Sequence, residues 1–540
     1  MHFSMRSSLA FLAAIPLLCG AANAQTSTIN LTVDAAAGTH AIDPNIYGMS
    51  NYGLDAAFAK EIKLPNYRWG GDGTTRYNWM VDSSNSGNDW YFVGGSGELN
   101  PTPGGQVDKM IATYSPAGAK PLITIPIIPH INSTSRQTCS YRKSVYGEQQ
   151  KFNPYVTLGT EKDQCGNGFE PNGNQILDTK IGYNHIDNTP ALQKQWVQHL
   201  VKTHGTAIVH YFQLDNEPYG WGNTHVDVEP DGVEYSTIVY LGEQYAAAIK
   251  QAEPSALVFG PSDFTDAGWI GNPKQQDGLF AGEFYLREFA KYDKQRGSRS
   301  LDYFDEHYYG PEGSNPAEIQ STRALWDPTY NSGNWIETTY FKGPMRLLPR
   351  FHEWIKAYYP GTKLSLSEYS VTNADHGGKT IYDALTQADA LGIFGREELD
   401  FANLWTIPKP GDPVAFSYRL FRNYDGKGSQ YGDLWVSSTS ADQTKLALYG
   451  ARRTSDSTLT LIVINKTAEA ITGNVALARF NTSATTASVY QYSGANLTAI
   501  VPLPAIALRK RAGGGQSFTA SFPAYSATVV AIPLHGAAAR

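Results

Sequence analysis

Apolar residues along most of this chain come in short runs, separated by longer stretches in which they recur every three or four positions. The short runs lie at residues 46–49, 67–70, 121–127, 208–212, 257–260, 303–307, 364–367 and 401–405. Between several of them, spacing of the helical kind covers 191–203, 235–252, 280–291, 345–358 and 382–397. Brief apolar runs bounded by turn residues predict buried strands, and a three-to-four-residue recurrence predicts amphipathic helices. Strand alternating with helix predicts a parallel sheet of the α/β class. Eight such units predict a closed (β/α)8 barrel over residues 46–425. An open, doubly wound sheet is the competing architecture, but the chain has no glycine-rich dinucleotide-binding turn to support it.

The pattern changes after residue 425. Short β-rich runs separated by turns follow, among them 459–465 and 527–532, and they predict a β-sandwich over 426–540. A similar run at 28–33 precedes the first barrel strand, so the segment 25–45 is expected to add a strand to that sandwich. Residues 130–187 fit neither rhythm. They are rich in Asn, Gln, Gly and Ser and read as a long irregular insertion after the third strand, on the side where barrels carry their active sites.

Residues 1–24 read as a signal peptide. Arg6 supplies the positive charge, an apolar stretch runs to Cys19, and Ala22-Asn23-Ala24 has the small-x-small form of a cleavage site. The expectation is a secreted protein, extracellular or periplasmic, with no membrane association once the signal is removed. No other apolar stretch is long enough to cross a bilayer. In an oxidising compartment Cys139 and Cys165 are expected to form a disulfide, with two free thiols as the alternative. Two cysteines are too few for a metal site, and neither zinc nor EF-hand ligand spacing occurs, although a structural calcium ion stays open. The net charge of −7 and the lack of a basic stripe argue against a nucleic-acid partner. Aromatic residues reach 12% while charged ones are 17%, which suits a carbohydrate groove and an aromatic-rich core equally. Asn-x-Ser/Thr sequons at Asn30, Asn132, Asn465, Asn481 and Asn496 matter only in a glycosylating host.

Two strand-like runs end in carboxylates. One leads into Asn216-Glu217-Pro218 and the other into Ser367-Glu368-Tyr369. In a parallel barrel such strand ends converge, and two carboxylates there are the minimum apparatus for hydrolysing a glycosidic bond. That chemistry needs no organic cofactor and no metal. Asn216 offers a neutral amide that can hydrogen-bond a sugar hydroxyl without adding charge beside Glu217.

Further motifs extend this picture: Arg68-Trp69-Gly70-Gly71 followed by Tyr77-Asn78-Trp79, Asp89-Trp90-Tyr91, Leu214-Asp215-Asn216-Glu217-Pro218 with Trp221 and Thr224-His225, Asp305-Glu306-His307-Tyr308-Tyr309, Ser367-Glu368-Tyr369 and Leu404-Trp405. In their order and spacing, over nearly all of the mature chain, they resemble the family 44 glycoside hydrolases, members of the large clan of retaining (β/α)8 glycosidases. The resemblance implies that Glu217 is the general acid/base and Glu368 the nucleophile. It also implies that Arg68 holds Glu368 ionised, Tyr309 orients it, His307 binds sugar or its supporting groups, and Trp405 is a sugar platform. Trp79, Trp90 and Trp221 become candidates for more distant subsites. The implied substrate is a β-linked polysaccharide, namely a β-1,4-glucan such as a cellulose derivative or xyloglucan, cut internally. Mannan, xylan or an arabinofuranoside, and a non-catalytic carbohydrate-binding role, are the alternatives. The oligomeric state is not readable from the sequence.

Overall fold

The computed structural model describes residues 27–534 apart from 161, 178–183, 311–314, 373–376 and 513; the expected signal segment lies outside the described residues. Eight parallel strands form a closed barrel: β1 (Gly48–Ser50), β2 (Asn66–Trp69), β3 (Lys120–Ile125), β4 (Tyr211–Leu214), β5 (Leu257–Asp263), β6 (Tyr303–Tyr309), β7 (Lys363–Ser370) and β8 (Phe401–Leu404). Neighbours in sequence are neighbours in space, and β8 closes on β1 through Asn403 opposite Gly48 and Leu404 opposite Met49. Each strand is followed by a helix: α1 (Ala56–Glu61), α2 (Gly105–Tyr114), α3 (Pro190–His204), α4 (Tyr235–Ala252), α5 (Ala281–Arg296), α6 (Leu347–Tyr358), α7 (Ile381–Arg396) and α8 (Pro413–Arg422). Helices cover one face of the strands and barrel side chains fill the other. Strand β3 therefore reads as a near-continuous apolar run rather than an alternating one, with Leu122, Ile123 and Ile125 all buried.

Two strand positions differ from the sequence reading. The run at 208–212 is not a strand throughout: Ile208 and Val209 donate to the Gly205 carbonyl in a turn, and β4 begins only at Tyr211. Ile46 and Tyr47 lie in a 3-10 turn (Pro44–Tyr47) ahead of β1, capped by Asp43, which accepts from the Asn45 amide at 2.9 Å. Pro44 presets the backbone for that turn, while burial accounts for the apolar character of the two residues. The helices match more closely, since their starts are chemically marked. Thr189 caps α3 with Pro190 in its first turn, and Thr380 and Asp383 cap α7 reciprocally.

Outside the barrel, two larger sheets form a second unit. A seven-stranded sheet runs His40–Ala41, Leu434–Trp435, Leu446–Arg452, Leu459–Asn465, Ser526–Ile532, Thr486–Ser493, Asn496–Ala507. A five-stranded sheet runs Ser437–Ser440, Ser27–Asp34, Ile471–Ala478, Gln516–Phe522, Arg509–Lys510. Ser27–Asp34 does join this second unit, parallel to Ile471–Ala478 along its whole length. Strand Leu459–Asn465 is apolar at nearly every position because both its faces are buried. Leu459, Leu461 and Val463 face the core between the sheets, and Ile462 and Ile464 belong to the barrel core. Helix α7 is the layer between: it is buried on every side from Asp383 to Gly395.

The described residues of 130–187 form more regular structure than an irregular insertion would. His130–Asn132 pairs with His185–Asp187, Phe152–Leu158 pairs with Asp163–Gly166, and Thr138–Cys139 joins Val93–Gly95 and Ser84–Asn85 in a small sheet. Cys139 and Cys165 are disulfide-bonded, as expected. Among the described residues no helix is long and apolar enough to cross a membrane.

Candidate active site

Glu217 owes its position to a strained turn. Strand β4 ends at Leu214, and both Asp215 and Glu217 have left-handed backbones, with φ of 65° and 46°. Such conformations cost free energy for non-glycine residues and persist where surrounding structure enforces them. Here Asp215 does so. Its fully buried carboxylate accepts from the backbone amides of Ile127 (2.5 Å) and Ile128 (3.0 Å) beyond β3, and from that of Asn216 at 2.8 Å. The Glu217 amide in turn donates to the Ser262 carbonyl of β5 at 2.9 Å. Asp215 was visible in the sequence only as part of a motif. Its structural task appears once the two neighbouring strands are in place.

Glu368 reaches the same mouth from β7. Pairing with β8 shifts register between Leu366 and Tyr369, an irregularity of the kind that re-aims a side chain out of a ladder. Oxygens of Glu217 and Glu368 and a ring nitrogen of His307 lie within 4.8 Å of one another. This is the one grouping of three or more ionisable side chains among the described residues that could hold a metal ion. The buried Arg68 already supplies a cation there, its Nη1 2.5 Å from Glu368 Oε2.

Arg68 distributes its donors over the site. Nε donates to Gln213 Oε1 (2.8 Å), Nη1 to Glu368 Oε2, and Nη2 to Asn216 Oδ1 (2.6 Å). Asn216 passes the chain on by donating from Nδ2 to Asp72 Oδ1 at 2.9 Å. Tyr309, 39% exposed, donates its hydroxyl to Glu368 Oε1 at 2.6 Å. Gln213 donates to Ser367 Oγ at 3.0 Å, tying the floor of the site to β7.

His307 is fully buried between the two carboxylates, its Nδ1 2.8 Å from Glu217 Oε1 and 4.0 Å from Glu368 Oε1. Burial holds its pKa down at about 4, so the ring is neutral near pH 7. Arg68 Nη2, which can only donate, approaches His307 Nε2 at 3.5 Å. Nε2 is therefore the acceptor nitrogen, and Nδ1–H donates to Glu217. Burial pushes the Glu217 pKa up to about 7, against the pull of Arg68. Even so, 22% of its side chain is exposed, open to the cleft. Asp72 is raised well above the carboxylate range, by burial first and then by the charges of Glu217, Asp89 and Glu368.

Trp405 stands beside this group, edge-on to Tyr52 at 5.6 Å between ring centroids and 5.9 Å from the Arg68 guanidinium carbon. Gly71 lets it approach: a Cβ there would lie 2.9 Å from the indole, on a backbone with φ of 103°. Tyr52, Asp72 and Gln213 carried no functional expectation from the sequence, because each is a common residue in a loop or strand until the barrel closes. The other tryptophans separate. Trp221 is fully buried in the barrel core and so cannot touch a sugar, and Trp79 packs half-buried with its Nε1–H donated to the Leu192 carbonyl. Trp90 is exposed.

The glycoside hydrolase family 44 model matches residues 83–312. Endoglucanase A of Paenibacillus lautus is 28% identical over 480 residues, 82% of this chain; the chain spans 64% of that protein's length. Among solved structures, CelM2, a bifunctional glucanase-xylanase from a metagenome library, superposes with a TM-score of 0.85 at 31% identity, covering 94% of this chain and all of that one. A Paenibacillus polymyxa family 44 xyloglucanase gives 0.77 at 25%, with the same coverage. With its eight-stranded barrel and appended sheets aligned over almost its full length, the chain belongs to glycoside hydrolase family 44.

Proposed function

We propose that the protein is a secreted, retaining, endo-acting glycoside hydrolase that cleaves β-1,4-glucan chains such as cellulose derivatives and xyloglucan. The observation that carries the reading is the approach of Glu217 and Glu368 to within 4.8 Å, with different surroundings on each carboxyl. Retaining glycosidases place their carboxyls about 5–5.5 Å apart, whereas inverting ones leave room for a water at about 6.5–9.5 Å. Glu368, held by Arg68 and Tyr309, attacks the anomeric carbon. The leaving oxygen takes the proton of Glu217, and a glycosyl ester forms on Glu368. In the second half, Glu217 accepts a proton from water, the water oxygen bonds to the anomeric carbon, and the ester bond to Glu368 breaks.

The surroundings suit these roles. A pKa of about 7 keeps Glu217 protonated in neutral and acidic solution. Since His307 Nδ1–H occupies Oε1, the proton of Glu217 sits on Oε2, free to meet the leaving group. Once the ester forms, the negative charge of Glu368 is gone and Glu217 ionises more readily. Arg68, Asn216 and Trp405 are read as substrate-facing or supporting groups: the first two fix the amide and carboxylate orientations, and the indole offers a face for a sugar ring. We also read residues 1–24 as a cleaved signal and the chain as a barrel of 46–425 flanked by a sandwich of 25–45 and 426–540.

The endo-acting, β-1,4-glucan reading is supported by the endoglucanase and xyloglucanase relatives. Xylan is the second substrate to try, because the 31%-identical relative is described as a glucanase-xylanase. The test is reducing-sugar release from carboxymethyl cellulose, xyloglucan, xylan and mannan by wild type, Glu217→Gln and Glu368→Gln. Proton NMR of the first-formed product gives its anomeric configuration. Release of β-anomeric ends by wild type alone is the expected result. Initial α-anomers would overturn the retaining mechanism, and no release from any of the four would overturn the activity.

A further inference from the structure

The 130–187 insertion has no part in the chemistry above, yet it carries the most exposed aromatic ring among the described residues. Tyr155, on strand Phe152–Leu158, is 81% exposed, and Trp90, in the turn Gly87–Trp90, is 43% exposed. Their rings face each other at 6.1 Å between centroids with 12° between planes. Two large aromatic side chains left in water side by side forfeit the burial free energy that such rings usually gain.

Three features fix the pair in place. Val93 pairs with Cys139 in the small sheet, and Cys139 is bonded to Cys165, which lies on the strand paired with Phe152–Leu158. The bridge thus ties the hairpin bearing Tyr155 to the strand that follows Trp90. Beneath it, Cys139, Leu158 and Cys165 form a small apolar core with Tyr91, Val93 and Val156. The turn before Tyr155 is held by the buried Asn153, whose Oδ1 accepts from the amides of Tyr155 (2.8 Å) and Val156 (3.0 Å).

The pair also adjoins the cleft. The turn Gly87–Trp90 packs against the segment after Glu217: a Cβ on Gly87 would lie 2.4 Å from the Thr224 carbonyl oxygen. Asp89, next to Trp90, is close enough to Glu217 for that charge to add to the rise that burial causes in its pKa.

We propose that Trp90 and Tyr155 form a distal subsite that stacks on a glucose unit of a β-linked glucan chain, and that the disulfide hairpin exists to hold Tyr155 there. The inference rests on the glycan-hydrolase reading of the cleft. Sugar rings present flat C–H faces that stack on aromatic faces, and a two-ring platform at the end of a cleft lengthens the chain segment held during cleavage.

The test is kcat and KM for wild type, Tyr155→Ala, Tyr155→Phe and Trp90→Ala on cello-oligosaccharides of increasing length and on xyloglucan. A second readout is calorimetric binding of cellohexaose to Glu217→Gln with and without Tyr155→Ala. Loss of one stacking partner is expected to raise KM and Kd for long chains by roughly tenfold, with a smaller effect as the chain shortens. Tyr155→Phe keeps the ring and is expected to keep the affinity. Cys139→Ala/Cys165→Ala is expected to shift KM in the same direction as Tyr155→Ala. Equal KM and Kd for wild type and Tyr155→Ala at every length would overturn the subsite, while hydrolysis by the wild type would leave the reading of the cleft standing. Conversely, a binding difference without hydrolysis by the wild type keeps the subsite and removes the hydrolase reading.

Discussion

Tyr309 donates to one oxygen of Glu368 and Arg68 to the other, so the two can be separated by single substitutions. Tyr309→Phe removes a hydrogen bond to a charged group and leaves the ring. A loss of about 1.5–3 kcal/mol corresponds to a fall in kcat of roughly ten- to 150-fold, expected with little change in KM. Arg68→Lys should be more severe, because one ammonium cannot serve Gln213, Glu368 and Asn216 together. Steady-state kinetics on xyloglucan compare the two, and a milder Arg68→Lys would contradict the shared-donor picture. On the proposed role of Glu217 as the acid, its titration sets the pH response. With its pKa near 7, kcat/KM should fall above that pH as the acid loses its proton, by tenfold per unit once well above it. An alkaline limb two units away would show that another group supplies the proton.

At the scale of the element, what the sequence revealed follows from how each segment is buried. Helices with one wet face, such as α3, capped by Thr189, and α4, which lacks a capping side chain, are legible to within a residue or so. Strand β4 was misplaced by three residues because Ile208 and Val209 are apolar through burial in a turn, and apolarity does not distinguish the two causes. The insertion reads as irregular because most of its strands, such as His130–Asn132, Thr138–Cys139 and His185–Asp187, are too brief to show alternation, and the longer Phe152–Leu158 is interrupted by Pro154. Glu217 and Glu368 stood out because each ends an apolar run. Asp215, Asp72 and Gln213 did not, as their partners lie on other strands. Helix α7 makes a stability prediction. A Cβ at Gly392 would meet the Tyr449 ring at 2.5 Å, so Gly392→Ala should cost about 1–3 kcal/mol despite alanine's higher helix propensity. Thermal unfolding that shows a gain in stability would refute this contact. In β5 and β6, Asp263 and Glu306 are fully buried, and burial raises both pKa values: Asp263 to about 8, with the charge of Glu217 adding to the rise, and Glu306 further still through the charges of Asp263 and Asp305. Groups whose folded pKa is raised lose stability as pH climbs from the ordinary carboxylate range to the folded value. Wild type should therefore weaken between about pH 4 and pH 8, and Glu306→Gln should flatten that slope in denaturant titrations.

Across the whole molecule, the barrel and the sheet unit share a buried polar knot. Asp389 of α7 accepts from Tyr449 (2.7 Å), Lys466 (2.6 Å) and Thr322 (2.6 Å), with Tyr449 in the seven-stranded sheet and Lys466 directly after its strand Leu459–Asn465. Lys466→Met leaves a buried carboxylate without its cation and should cost about 3–5 kcal/mol, whereas the double change Lys466→Met/Asp389→Leu should recover much of it. Differential scanning calorimetry separates these outcomes. A single transition shifted as a unit would show barrel and sheets unfolding together. Two transitions in the variant would show that the knot, rather than the apolar layer around α7, joins them.

The pairing of Ser27–Asp34 with Ile471–Ala478 joins the opening of the chain to a strand more than four hundred residues later. During synthesis, that strand therefore has no sheet to enter until its partners Ser437–Ser440 and Ile471–Ala478 have left the ribosome. The barrel can close early, but the flank of α7 stays greasy and uncovered until the last strands arrive. A chain with this topology completes its sheet unit last, however early its barrel closes.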